Sequence, residues 1–187
     1  MSDFLPEEYK IPTESRYMKF VEGANTFRIL GSFLEKTAIM GYVYWITDEN
    51  KNRKPVRVKM GIGIPTENFE EDTRTGELQL PRHFWALPVY NWNEKRIQIL
   101  EITQKTVLNA ILVLSRNKKW GDPKQYDITV SRDDSTGKTA YSVMPEPKEE
   151  LPKEVTETYK KTYINMNALF DGTDPFRENI YPDTVNG

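Results

Sequence analysis

Ile39-Met40-Gly41-Tyr42-Val43-Tyr44-Trp45-Ile46-Thr47 is the stretch on which the reading of this chain turns. It is rich in aromatic and β-branched residues, the side chains that fit a pleated, half-buried surface. Read as a regular strand, it puts Tyr42, Tyr44 and Ile46 on one face and Val43 and Trp45 on the other. Both faces then carry rings, so one can pack inward while the other meets a ligand. A third strand-like stretch runs from Lys54 to Ile64, and Arg53, Lys54, Arg57 and Lys59 form the densest basic cluster in the chain. Rings and cations recur as Phe84-Trp85, Tyr90-Asn91-Trp92 and Lys95-Arg96. Flat aromatic faces beside Lys and Arg suit a single nucleic-acid strand, because bases stack on the rings and phosphates meet the cations without base-pair readout. The same rings also suit a core, where large aromatics dominate packing. Sequence leaves both readings open, ring by ring. In a strand Arg57 and Lys59 share a face that can track a phosphate backbone; a solvated face, or an edge guarded by lysine, is the other reading.

Working outward, Tyr17, Phe20, Phe27, Ile29 and Leu30 surround a turn expected at Glu22-Gly23-Ala24-Asn25. Glu67 to Leu80 is polar, with a turn at Thr75-Gly76, and reads as a surface excursion, either a flap or a solvated loop. Arg82 to Tyr90 and Arg96 to Ile102 read as a hairpin around Asn91-Trp92-Asn93-Glu94, with Pro88 arguing for an edge position or a bulge. Thr103 to Leu114 is the clearest helix: Thr103 can cap it, and Val107, Leu108, Ile111 and Leu114 make a buried stripe. Trp120-Gly121-Asp122-Pro123 then breaks the chain, with Trp120 either anchoring the turn in the core or, beside Lys118 and Lys119, repeating the ring-and-cation chemistry. Tyr126 to Ser131 and Thr139 to Val143 alternate around a polar tip at Asp133-Asp134-Ser135-Thr136-Gly137. Pro145, Pro147 and Pro152 mark a linker, Glu154 to Phe170 predicts a helix, and the stretch from Asp171 reads as extended.

The expected organisation is a flexible leader over residues 1–14, a β domain over 15–145 and an acidic linker, helix and tail over 146–187. Several strands, one helix and two more strands fit a mainly β fold. The order matches an OB-fold, a five-stranded barrel with one helix between late strands, followed here by a helical and extended C-terminal tail.

Net charge is −2, but it is unevenly spread: 21 Lys+Arg against 19 Asp+Glu up to Met144, then 5 against 9 from Pro145 onward. A near-neutral body carries an acidic tail, so binding a polyanion requires the body's cations to cluster. Cysteine is absent, which excludes disulfides, thiolate chemistry and the usual zinc ligands, and fits a reducing cytoplasm. His83 is the only histidine, so a histidine metal cluster is excluded by count. Glu67, Glu70, Glu71 and Asp72 are hard-cation ligand types, but they sit in a polar stretch that nothing holds rigid, so no metal and no cofactor is expected. Gly137-Lys138-Thr139 resembles the end of a phosphate-binding loop, yet Arg132 stands where that loop needs its first glycine, and the flanks alternate like strands. No serine or threonine has a base-bearing context, so no enzyme is expected. No apolar run approaches the roughly 20 residues of a membrane helix, and the acidic start Met1-Ser2-Asp3-Phe4 lacks the pattern of a signal peptide.

Taken in order, Tyr17-Met18-Lys19-Phe20, Glu22-Gly23, Asn25 and Phe27-Arg28-Ile29-Leu30 resemble the opening of bacteriophage single-stranded DNA-binding proteins. Gly41-Tyr42-Val43-Tyr44-Trp45 with Pro55-Val56-Arg57, and Trp85 with Val89-Tyr90-Asn91, are similar to the same family. So are Trp120-Gly121-Asp122-Pro123, Tyr126-Asp127-Ile128, Arg132, Gly137, Thr139 and Tyr141. The resemblance covers about residues 15 to 145. It implies an OB-fold that coats single strands during phage replication, recombination or repair, in the host cytoplasm. Such proteins often end in an acidic tip finishing in Pro-Phe that recruits replication partners. Asp171-Gly172-Thr173-Asp174-Pro175-Phe176 is similar, but it is followed by Arg177 and further residues.

The expected nucleic-acid site is therefore a pool of stacking rings, Tyr42, Tyr44, Trp45, Phe84, Trp85, Tyr90 and Trp92, with Arg53, Lys54, Arg57, Lys59, Lys95 and Arg96 neutralising phosphates. The expected partners are single-stranded DNA and, through the acidic tail, replication or recombination proteins. The rival reading is a protein-binding or virion-structural β-barrel whose aromatics form a protein interface. RNA binding, which adds contacts to the 2′-OH, is a second rival, and a nuclease a third.

Overall fold

A strand at the centre of a sheet must tolerate burial on both faces and neighbours on both edges. Arg82–Asn91 meets that demand: Phe84, Ala86, Leu87, Pro88 and Val89 are consecutive or alternate positions, all buried. In the computed structural model, which describes Phe4 and residues 15–177, this is the fifth of eight strands and the hub of the sheet. The others are β1 (Tyr17–Met18), β2 (Gly23–Ile29), β3 (Ile39–Thr47), β4 (Arg53–Lys59), β6 (Arg96–Ile102), β7 (Tyr126–Asp133) and β8 (Ala140–Lys148). Helix α1 (Lys105–Arg116) lies between β6 and β7; α2 (Lys153–Lys161) and α3 (Ala168–Asp171) follow β8. Apart from Phe4, the leader expected over 1–14 lies outside the described residues, as do residues 178–187.

The protein is mainly β, and the described residues form one open mixed sheet and three α-helices. The strands run in the order β1-β6-β5-β2-β7-β8, with β3 also on β5 and β4 on β3. All ladders are antiparallel except β1 on β6. One edge of β5 pairs with β6; the other is shared, with β3 opposite Arg82–Ala86 and β2 opposite Val89–Asn91. Pro88 sits at the junction. Its carbonyl accepts from the Leu30 N–H at 2.9 Å. In a strand a residue's N and O point to the same edge, so the missing N–H faces the gap between β3 and β2. The edge position expected from Pro88 is thus corrected: the strand is central, and only this residue meets a local gap in pairing.

Two apolar clusters cover the two faces. On one, Phe27, Ile29, Leu87, Val89, Leu100, Ile102, Ile128 and Val130 pack with Val107, Leu108 and Ile111 of α1. On the other, Ile39, Val43, Phe84, Ala86 and Ile99 pack with Met166 and Leu169 from the C-terminal segment. That segment is therefore part of the core as far as Leu169, and β8 runs on to Lys148.

Several local expectations change. Asn25 is buried inside β2 rather than in a turn. Its amide accepts from Val21 N–H (2.9 Å) and donates to the carbonyls of Val21, Gly23 and Val130, so a side chain closes the bend ahead of the strand. The residue capping α1 is Gln104 instead of Thr103, and its side chain bonds the Thr103 N–H. The single helix expected over 154–170 is two helices. Thr158 and Thr162 turn their hydroxyls back onto the carbonyls of Glu154 and Thr158 (2.7 and 2.6 Å), a contact that competes with helix continuation. The stretch expected to be extended from Asp171 turns instead: Gly172 closes α3 in the left-handed region (φ 71°) and Arg177 N–H bonds the Asp174 carbonyl.

Opposite Tyr90 across the β2–β5 ladder, Arg28 is almost wholly buried, and its Nε donates to Asp127 at 2.8 Å. Removing one partner of such a pair strands the other charge. Asp127→Ala is expected to lower stability by about 3–5 kcal/mol, measured as a fall in the urea midpoint.

Candidate nucleic-acid interface

The β3–β4 hairpin has an unbroken register from Gly41 opposite Lys59 to Thr47 opposite Arg53. Residues directly opposite share a face. The register therefore sorts the hairpin: Tyr42, Tyr44, Ile46, Lys54, Val56 and Val58 go to the α1 side. Gly41, Val43, Trp45, Arg53, Arg57 and Lys59 go to the side carrying the C-terminal segment. Through its pairing with β3, β5 adds His83 and Trp85 to the first side and Arg82 and Phe84 to the second.

On the second side the structure brings one exposed ring together with the cations. Trp45 is 42% exposed. The Arg53 guanidinium lies 5.3 Å from its ring centroid and donates to the Gln79 side chain. Four positions along β4, Arg57 donates to Glu101 at 2.5 Å. The Lys59 ammonium lies 5.5 Å from the Phe170 ring. Phe84 is fully buried and packs against Phe170 at 6.3 Å, so this ring is core. It also explains Gly41: a Cβ there would sit 3.2 Å from the Phe84 ring and 2.2 Å from the Val58 carbonyl.

The first side carries rings that pack mostly on one another. Tyr44 is buried against Phe69 (5.9 Å) and Trp85 meets Phe33 (5.4 Å). Tyr42 is partly exposed beside His83 (5.5 Å). His83 Nδ1 is 2.9 Å from the Gly41 carbonyl, which can only accept, so Nδ1 carries the proton. Lys54 is exposed but belongs to this side, away from Arg57 and Lys59.

Tyr90, Trp92, Lys95 and Arg96 form a separate group at the other end of β5, on the hairpin to β6. Eight residues of strand, roughly 26 Å at 3.3 Å each, separate Tyr90 from Arg82. Tyr90 and Trp92 meet edge to face at 4.9 Å. Burial, and then the nearby Glu154 carboxylate, push the Tyr90 hydroxyl above its ordinary pKa. The buried Trp92 Nε1 has no hydrogen-bond partner among the described residues.

Two features of the site escaped sequence reasoning. Arg82 joins the cationic side, a placement that β-strand alternation with Phe84 carries. The C-terminal segment lies beside the same cations. The Arg16 guanidinium stacks on Phe176 (4.9 Å) and Tyr17 meets that ring at 6.4 Å. Burial pushes the Tyr17 hydroxyl pKa up first; Asp174 adds to this, Arg57 opposes it and Glu101 adds a little more. Asp174, Arg57 and Glu101 thus surround one phenol.

The 67–80 excursion docks on the free end of the hairpin. Glu70 accepts from the Thr47 N–H (2.6 Å) and hydroxyl (3.1 Å), and Phe69 covers Tyr44. Among the described residues no group of three or more His, Asp or Glu could hold a metal ion, and no helix is long and apolar enough to cross a membrane. Gly137 (φ 80°) occupies the β7–β8 tip, where Thr139 bonds Asp134 at 2.8 Å. No family model, curated protein or solved structure matches this chain.

The burial pattern separates core rings from surface rings. Phe84→Ala is expected to cost about 3–5 kcal/mol of stability. Trp45→Ala should stay within about 0.5 kcal/mol of the parent. Urea unfolding of the two variants checks both.

Proposed function

We propose that this chain binds single-stranded DNA with little sequence preference and coats it during phage DNA replication, recombination or repair. The observation that carries the reading is the exposed Trp45–Arg53 pair on the same side as Arg57 and Lys59. A base stacks on the indole while its flanking phosphates meet the guanidinium and ammonium groups, which is how single strands are held without base readout. The ordered resemblance over residues 15 to 145 supports the same reading. It favours an OB-type barrel with α1 between the late strands. Tyr42 is a further stacking candidate. Tyr90, Trp92, Lys95 and Arg96 would serve a strand long enough to run the length of β5. The protein acts without catalysis and without a cofactor.

The C-terminal segment is proposed to compete with DNA and to recruit replication or recombination proteins through Asp174-Pro175-Phe176. Deleting it wholesale would remove Met166 and Leu169 from the core, so charge is the better handle. Asp171→Asn with Asp174→Asn should raise DNA affinity at low salt; unchanged affinity removes the idea.

A protein-binding role is the second reading. Met60 and Ile62, just before the 67–80 excursion, and Leu78 and Leu80 within it are 47–67% exposed, and exposed apolar side chains mark protein interfaces when they are contiguous.

Fluorescence anisotropy of a labelled oligo-dT, with duplex as competitor at two salt concentrations, tests the proposal. Tight, salt-sensitive binding that duplex barely competes is the expected result. Trp45→Ala should then cost about 1–3 kcal/mol of binding, and Lys59→Ala should reduce the salt slope by about 0.7. Absence of binding by folded protein at low salt contradicts the proposal and favours the protein-interface reading.

A further inference from the structure

Arg82 belongs to no motif, yet its position in the sheet is distinctive. Val43 lies between two arginines in register: Arg57 of β4 on one side and Arg82 of β5 on the other. All three share the face that carries Trp45. Strands lie about 4.8 Å apart, so the two arginine Cα atoms flank Val43 at about 10 Å from each other. Trp45 stands two residues along β3, about 7 Å from Val43.

The two arginines differ in their electrical surroundings. Arg57 is ion-paired with Glu101 at 2.5 Å, and both side chains are largely buried, at 16% and 24% exposed. Much of its charge is therefore answered within the fold. Arg82 is exposed, and among the described residues its side chain has no acid and no hydrogen-bond partner. Arg53, one step beyond Trp45, donates to the neutral Gln79 and stacks on the indole face; the Asp72 carboxylate is near enough to feel its charge but makes no ion pair with it. Among the described residues the cations on this side that no acid pairs are thus Arg53, Arg82 and Lys59, and of these Arg53 and Arg82 lie either side of Trp45.

We propose that Arg82 contacts a backbone phosphodiester of the bound strand, and that the strand crosses from the β4 edge over Trp45 onto β5. Arg53 and Arg82 then hold the phosphates flanking the base that stacks on Trp45. The inference rests on the single-strand reading of the same face, which it deepens by giving the strand a direction across the hairpin.

Salt titration of oligo-dT binding to the full chain tests it, with Arg82→Ala, Arg82→Lys and, as a control for the loss of one positive charge elsewhere, Lys105→Ala on α1. Loss of one phosphate contact lowers the slope of log K against log salt by about 0.7 for a single strand, which is about eightfold weaker binding at 50 mM salt and about threefold at 200 mM. Arg82→Ala should show both changes, Arg82→Lys should restore the slope, and Lys105→Ala should match the parent. An Arg82→Ala slope equal to the parent's, in a parent that binds, overturns this contact and leaves the single-strand reading standing. An equal loss in Lys105→Ala also overturns it, since the effect would then be net charge rather than position. A folded parent that binds no oligonucleotide overturns the single-strand reading itself.

Discussion

The sheet depends on one strand having three partners. β5 gives one whole edge to β6 and divides the other between β3 and β2. That division requires a residue that asks for no bond at the change-over, and Pro88 supplies it. It also brings the β3–β4 hairpin onto the same sheet as the α1 core while letting its faces diverge. Phe84 then closes over Gly41, where any larger residue would meet the Val58 carbonyl. With Phe84 used as floor, the rings left at the surface of the hairpin are Trp45 and, on the other side, Tyr42.

The segments that carry the resemblance mostly hold the fold. Asn25 closes the entry to β2; Arg28 and Asp127 tie β2 to β7; Arg132 donates to the Phe20 carbonyl at 2.8 Å and to Asp134. Tyr126 is fully buried, donates to the Gly121 carbonyl at 3.3 Å and packs on Trp120. The Asn25–Val130, Arg28–Asp127 and Arg132–Phe20 contacts join segments far apart in the chain, while Tyr126 and Asp134 bond close neighbours. Their residues read as scattered identities in sequence and become a connected framework only once the β2–β7 ladder forms. Trp120 accordingly belongs to the turn and core rather than to a cationic ring pair.

Much of the β architecture was legible because the signals are local. Ile39–Thr47 and Arg96–Ile102 have the bounds that alternation predicts, and the hairpin faces divide as a period of two requires. What was not legible is long-range. β1 is two residues long and parallel to β6, a pairing no local pattern encodes. The apolar positions of the C-terminal segment read as a helix stripe with no surface to receive it, whereas Met166 and Leu169 close the second face of the sheet. The candidate site was legible as a pool of residues but not as an arrangement. Only register separates Lys54 from Arg57, recruits Arg82, and moves Tyr90 and Trp92 to a second hairpin.

The proposed function turns on a single strand stacking on Trp45. Photo-crosslinking of a halogenated deoxyuridine oligonucleotide, followed by peptide mapping, tests it most directly. A principal adduct on Trp45 is the expected result. Adducts confined to Tyr42 or to Tyr90 and Trp92, with Trp45 unmodified, would contradict it.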